Sequence, residues 1–421
     1  MKHLVKQSLL VVLFICSTMG LKAQFSIHAD LSPRAELRHG YRQLPKEDEK
    51  AAINVNQRTR LAFGYQHESL RMHISFQEVR VWGQEVQRQH NANVAVHEAW
   101  GELLFNPNLS LKVGRQHLRY DNQRFFAIND WIPMGQKHDV ALLKAKLPSG
   151  ELHFATAFNQ PASAFQNNFG TLYSINNYKY MNFAWFNTSL SENTKLSLLA
   201  AADGFEGENN PNTLYVRGTW SAYLTSKLGG VDLMVNPAVQ HGKTRGARDI
   251  AAWYFRTDAS LSLMENSTST LGLEIFSGND PQDGSKYRAF DALYGAGHLN
   301  NGFMDYFTLI PQHTRQAGLV NPFIKNNFKV TQKTSLDADL HLFFIQNDFF
   351  QGPDKISKYL GTEIDLTLNY RFNDFTRIIG GFSWMFASES MEVINRGADS
   401  GSHKEPAYFA YIMLRIRPKL L

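Results

Sequence analysis

Basic residues recur at alternate positions of short segments whose other positions are apolar. Arg34 and Arg38, Arg58 and Arg60, Arg71, Lys144, Arg217, Arg256 and Arg371 all follow this pattern. A guanidinium offers a planar fork of donors that meets a carboxylate at two points. Rings of such groups along an aqueous path favour anions, and transit requires each contact to be weak enough to release. Acidic residues occupy the same faces, with Asp30, Glu36, Asp337, Asp339, Glu363 and Asp365 among them. Two readings therefore stay open: a basic constriction with anion preference, or a mixed-charge lumen. Net charge does not choose between them. Taking Lys2, Lys6 and Lys22 from the 43 basic residues leaves 40 against 38 acidic ones.

The elements that must hold these residues are strands. In Phe25 to Arg38, the residues Phe25, Ile27, Ala29, Leu31, Ala35 and Leu37 fall on every second position, and Ser26, His28, Asp30, Ser32, Arg34, Glu36 and Arg38 fill the gaps. A period of two means a strand with one apolar and one polar face. Similar segments recur along the chain. Ile53, Leu61 and Phe63 oppose Asn54, Arg58 and Arg60. Trp253 and Phe255 oppose Tyr254 and Arg256, and Ile364, Leu366 and Leu368 oppose Glu363, Asp365 and Thr367.

Residues 1–23 read as a secretory signal peptide: a basic start, an apolar stretch from Leu9 to Cys16, then small and polar residues up to Ala23, with cleavage before Gln24. Cys16 is the single cysteine. Its surroundings do not favour lipoprotein attachment, so the mature chain has no thiol for a disulfide, a metal or nucleophilic chemistry. No later run is long and apolar enough for a spanning helix. The remaining way to satisfy every backbone group in lipid is a closed β-barrel.

The expected architecture is all-β: one transmembrane antiparallel barrel over residues 24–421, of about 18 strands with 16 to 18 as the range. Expected strand starts lie near residues 25, 53, 69, 94, 109, 138, 150, 178, 194, 212, 230, 248, 269, 318, 334, 358, 374 and 405. Short links such as 106–108 and 191–193 separate hairpin partners. The stretches at 40–52, 121–137, 160–177, 279–317 and 387–404 are outer loops or constriction segments. A soluble β-helix should show a fixed repeat, and none is present. A soluble sandwich of this length should show a linker, and there is none. The apolar faces therefore meet lipid and the charged faces meet water.

RAELR (Arg34 to Arg38), QRTRLAFGY (Gln57 to Tyr65), FQEVRVWG (Phe76 to Gly83), HEAWGEL (His97 to Leu103) and LSLKVGRQHLRYDNQRF (Leu109 to Phe125) resemble successive segments of the alginate export family of outer-membrane barrels. FDALYGAGHLNNGFMDYF (Phe290 to Phe307), LDADLHLF (Leu336 to Phe343) and LGTEIDLTLNYRF (Leu360 to Phe372) continue the likeness over nearly the whole mature chain. The resemblance implies an 18-stranded barrel in the outer membrane of a Gram-negative bacterium, with a basic conduit for an acidic polysaccharide. The pore-lining candidates are Arg34, Arg38, Arg58, Arg60, Arg115, Lys144, Arg217, Arg256, Glu363, Asp365 and Arg371, with strand parity ambiguous near Gly114; the resemblance adds Arg124 and gives weight to Arg115, in the NQR and GRQ segments. His298 and His341 lie in the same stretches and read as structural or pore contacts.

The expected function is a porin passing an anionic or polar saccharide. The alternatives are a general or oligosaccharide-uptake porin, and a barrel that serves surface adhesion without transport. Outer-membrane lipid is the surrounding partner, periplasmic export or uptake proteins are the further ones to consider, and a barrel that closes alone implies a monomer. Catalysis finds no support, because neither G-x-S-x-G nor H-E-x-x-H occurs. No cofactor or metal site is expected. The acidic turn at Asn279 to Gly284 misses the EF-hand spacing, and no basic run suggests nucleic acid. The seven tryptophans are candidates for interfacial girdles or for packing under outer loops. Leu421 departs from the aromatic ending common in barrels.

Overall fold

The computed structural model describes residues 24–88, 93–160, 170, 177–395 and 401–421. The expected signal peptide lies outside the described residues, as do parts of the long links near 160–177 and 387–404. Eighteen antiparallel strands form one sheet. They are β1 (Gln24–His39), β2 (Ala52–Gln66), β3 (Leu70–Val81), β4 (Ala95–Asn106), β5 (Leu109–Gln116), β6 (His138–Leu147), β7 (Gly150–Phe158), β8 (Tyr180–Ser189) and β9 (Thr194–Glu206). There follow β10 (Leu214–Leu228), β11 (Val231–Lys243), β12 (Asp249–Met264), β13 (Ser267–Phe276), β14 (Leu319–Lys329), β15 (Thr334–Phe344), β16 (Tyr359–Arg371), β17 (Thr376–Ala387) and β18 (Ala407–Ile416). Every start falls within two residues of its expected place.

The sheet closes on itself because β1 pairs with β2 on one side and with β18 on the other, with Asp30 opposite Arg60 and Arg34 opposite Met413. The chain end reinforces the seam: Ile27 N donates to Leu421 O at 3.1 Å and Leu420 N donates to Ile27 O at 2.7 Å. Closure leaves no sheet edge, which a lipid surrounding demands.

Burial is inverted relative to a soluble protein. Ile53 is 80% exposed and Leu271 65%, whereas Arg58 is 3% exposed and Glu363 0%. The apolar faces point out, and the charged faces point into a lumen that is itself largely filled. The links alternate in length: short at 67–69, 107–108, 148–149 and 229–230, long at 40–51, 117–137 and 277–318. Short links belong to the periplasmic end and long ones to the outside.

Two long links fold into the lumen instead of outward. Residues 117–137 and 277–318 join side by side, with a parallel bridge between Phe126 and Tyr294 and with Ala127 N donating to Tyr294 O at 3.1 Å. At Gly295 they approach so closely that a Cβ would lie 1.9 Å from Arg124 O. Their rings form a core inside the barrel: Phe126 packs on Phe183 at 4.7 Å and Phe125 on Tyr254 at 5.3 Å between centroids. This core leaves two cavities in the lumen, one bordered by the inward links with His138, Phe205 and Arg217, the other by inward residues of β13 to β18.

Candidate functional site

Two cavities of the lumen share Trp131, on the inward link 117–137, as a lining residue. Its indole stacks on the imidazole of His298 from the other inward link, 3.9 Å between centroids and 6° from parallel. The Arg34 guanidinium of β1 sits 3.8 Å from the same ring. Two groups that close to one indole must take opposite faces, so Trp131 is clamped between barrel wall and loop. Phe303 stacks on the far side of His298 at 4.6 Å, and Arg34 Nη1 donates to Trp131 O at 3.0 Å.

Trp131 and His298 belong to the linings of two cavities. The outer one, about 450 Å³, includes Arg42, Lys137, Arg217, Asp291 and Asp305. The inner one, about 600 Å³, includes Lys325, Arg415, Asp130, Asp337 and Asp339, together with amide and hydroxyl groups such as Asn326, Asn369 and Thr270. Each cavity mixes both signs, the outer leaning basic and the inner leaning acidic.

Charge is asymmetric at the constriction itself. On the β1–β2 wall, Arg58 bonds Asp30 at 2.8 Å and Asp130 at 2.7 Å, and Arg417 reaches both acids at 3.0 Å. Arg60 lies 3.7 Å from Asp130 and is held by Gln77, which donates in turn to Met134 O at 3.2 Å. Arg415 stands beside them. Burial pushes the Asp130 carboxyl up, but Arg58, Arg417 and Arg60 outweigh it and hold the group below its ordinary value. Asp130 therefore pins the inward link to the arginine wall as a carboxylate.

A second anchor holds the other link. Asp305 contacts His298 Nδ1 at 2.6 Å, accepts from Tyr41 Oη, and lies 3.3 Å from Arg42 Nη2. Burial raises its pKa, and His298, Tyr41 and Arg42 together overcome that and lower it. The Tyr41 phenol moves the opposite way, upward, through burial and then the neighbouring Asp305 charge.

The predicted residues divide by location. Arg34, Arg58 and Arg60 converge at the constriction, and Arg38 lies above them, paired with Glu36. Arg217 lines the outer cavity and pairs with Asp203 and Asp291. Lys144 bonds Glu102 at 2.9 Å on the β6 wall. Arg371 points inward near the periplasmic mouth and donates to Gln332 O at 3.3 Å.

Four others are sealed beneath the inward links and do not face the open lumen. Arg124 is 1% exposed and pairs with Glu274 at 2.9 Å and Asn301 at 2.8 Å. Arg256 bonds Asn300 and Asp258. Glu363 accepts from Met304 N at 2.7 Å, and Asp365 accepts from Phe303 N at 3.3 Å. Gly302 is required beside them: its φ is +80°, and a Cβ would fall 2.4 Å from Glu363 Oε1.

Arg115 is a correction. Ser110, Lys112 and Gln116 of β5 face inward, so the pleat turns Arg115 outward, where it forms a two-point pair with Asp139 at 2.9 Å. The tryptophans also separate: Trp82, Trp220, Trp253 and Trp384 lie on the outer face, while Trp100, Trp131 and Trp185 face inward. His341 is fully buried beside Asn321 at 3.1 Å, a structural contact. Asp130, Asp305, Arg415 and Arg417 were not singled out by strand parity. Asp130 and Asp305 occupy loops, and the arginines lie at the closing seam, where periodicity carries little information.

Solved structures share this architecture. The chain is similar to OpdO of Pseudomonas aeruginosa, at 12% identity over 94% of this chain and 98% of that one, with a TM-score of 0.63. It is similar to the outer membrane protein OprD of the same organism, at 11% identity over 95% and 96%, also with a TM-score of 0.63. OpdK crystallised with vanillate gives 13% identity over 93% and 98%, with a TM-score of 0.58. At such identities the likeness is one of fold, an outer-membrane β-barrel. No curated protein matches the chain. The family model for alginate export matches residues 27–389, nearly the whole barrel, and on that match the chain belongs to the alginate export family, as an outer-membrane channel of Gram-negative bacteria.

Proposed function

We propose that the barrel passes an acidic oligo- or polysaccharide by diffusion through the two lumen cavities, past the cations grouped around Trp131. The observation that carries this reading is the run of cations on one side of the lumen. It starts at Arg42 and Lys137 in the outer cavity, passes Arg60, Arg58 and Arg34 beside Trp131, and ends at Arg415 and Arg417. Asp30 and Asp130 engage several of these groups and weaken each contact, as transit of a polyanion requires. Residues 1–23 act as the export signal, and the closed barrel works as a monomer. It needs no cofactor and performs no chemistry on its cargo.

A second reading, uptake of neutral oligosaccharides, draws on the amides and hydroxyls of the inner cavity, among them Asn326, Asn327, Asn369, Thr268 and Thr270. Single-channel recording in planar bilayers separates the two. Oligo-uronates of a few residues should interrupt the current in a concentration-dependent way, and neutral glucans of equal length should not. Equal block by both sugars supports the second reading. No conductance at all favours an adhesion role.

A further inference from the structure

We propose that His97, Glu98 and His117 form a binding site for a divalent transition ion of the copper or nickel class on the lumen wall. The three side chains can each offer one ligand atom within 4.8 Å of the others. His97 Nε2 and His117 Nε2 are 2.9 Å apart, and His117 Nδ1 lies 3.4 Å from Glu98 Oε2.

Adjacent residues of a regular strand cannot both face inward. Here they do, because β3 and β4 change register: Ser75 opposes Glu98 and Phe76 opposes Val96, leaving His97 as the extra residue of a bulge. Ser75 Oγ accepts from Glu98 N at 3.1 Å and holds the distortion. Bulges of this kind re-aim side chains and concentrate at functional sites. His97 is 1% exposed; among the described residues its Nδ1 has no hydrogen-bond partner, while Nε2 meets only His117 Nε2.

The donor set of two imidazoles and one carboxylate selects a transition ion, and the separation of the two nitrogens is close to what such an ion needs. Metal–nitrogen bonds of about 2.0–2.1 Å place nitrogens 2.9 Å apart at an angle of roughly 90°, whereas a tetrahedral ion needs about 3.3 Å between them. A right angle suits the tetragonal geometry of Cu(II) and Ni(II). Arg60, close to His97 across Gly135, disfavours a hard ion held by charge alone. Imidazole lone pairs bond strongly at the copper end of the divalent series, so calcium and magnesium are excluded on chemical grounds. His117 begins the inward link that carries Asp130 and Trp131, so an ion here joins the root of the constriction to the wall.

The test uses the untagged, detergent-solubilised full barrel titrated with Cu²⁺, Ni²⁺ and Ca²⁺, followed by calorimetry and by the electron paramagnetic resonance spectrum of the copper form. One ion per barrel is expected, with nitrogen splitting from two imidazoles and no heat with Ca²⁺. His117→Gln and His97→Gln should each weaken binding by about tenfold or more. The wild-type spectrum keeps the proposal testable if either variant fails to fold. Absence of stoichiometric binding, a spectrum without two nitrogen ligands, or affinity unchanged in both folded variants overturns it.

Discussion

Trp131 and His298 stack at 3.9 Å although they stand on links separated by eight of the eighteen strands. The contact places one aromatic plate between the two lumen cavities, with Arg34 against its other face. Two anchors hold the plate, Asp130 on the arginine wall and Asp305 beneath Tyr41. These relations lead to measurable expectations.

Trp131→Ala should open the constriction without disturbing the wall, because the ring fills space between groups that belong to other elements. Single-channel conductance is expected to rise by about twofold or more. An unchanged conductance would place the narrowest section elsewhere.

Neutralising Arg58 should act on both selectivity and stability. Arg58→Gln leaves Asp30 with Arg417, and Asp130 with Arg417 and the more distant Arg60. Breaking a buried pair costs up to about 3–5 kcal/mol, and the partial exposure of Asp130 and the help of Arg417 reduce this to roughly 1–3 kcal/mol. Reversal potentials in a salt gradient should shift toward cations, and the thermal midpoint in detergent should fall.

Arg115→Gln is the matched control. Its side chain lies outside the barrel, paired with Asp139, so ion selectivity should be the same as in the unmodified protein. An exposed pair contributes about 0–1 kcal/mol, so stability should change little. A selectivity shift equal to that of Arg58→Gln would contradict the outward placement.

The Asp305 anchor sets an acid limit. Its folded pKa lies below the ordinary 3.8, so its contribution to stability is complete above that value and is lost as pH falls through the lower folded value. Current traces should stay steady from neutral pH to about 4 and show more frequent openings only below that. In Asp305→Asn the acid transition should disappear.

Arg124 and Glu274 form a sealed pair inside the barrel, 1% and 0% exposed at the side chain. Glu274→Gln strands the guanidinium, with an expected cost of about 3–5 kcal/mol. Limited proteolysis should then cut within 277–318 at protease levels that spare the unmodified protein. Replacing both residues with leucine and methionine should recover much of the loss.

The strands and their faces were legible in the sequence because both are local properties. A period of two is written residue by residue, and lipid enforces it along the middle of the strands, as Phe63, Phe76 and Leu366 show. The long links were equally visible as polar gaps. What the gaps do was not, because a loop turns inward only if it finds partners distant in the chain, as Phe126 does in Tyr294 and Asp130 does in Arg58. Those contacts decided which inward charges are sealed and against what: Arg58 is covered by the Asp130 link, Arg124, Glu363 and Asp365 by the other link, and Arg60 keeps partial exposure. Strand parity likewise assumes unbroken register and known phase. One extra residue in β4 turned His97 and Glu98 to the same side, and the phase of β5, set by Ser110 and Gln116, sent Arg115 out toward the membrane. Register is a property of two strands together, so it belongs to the tertiary structure.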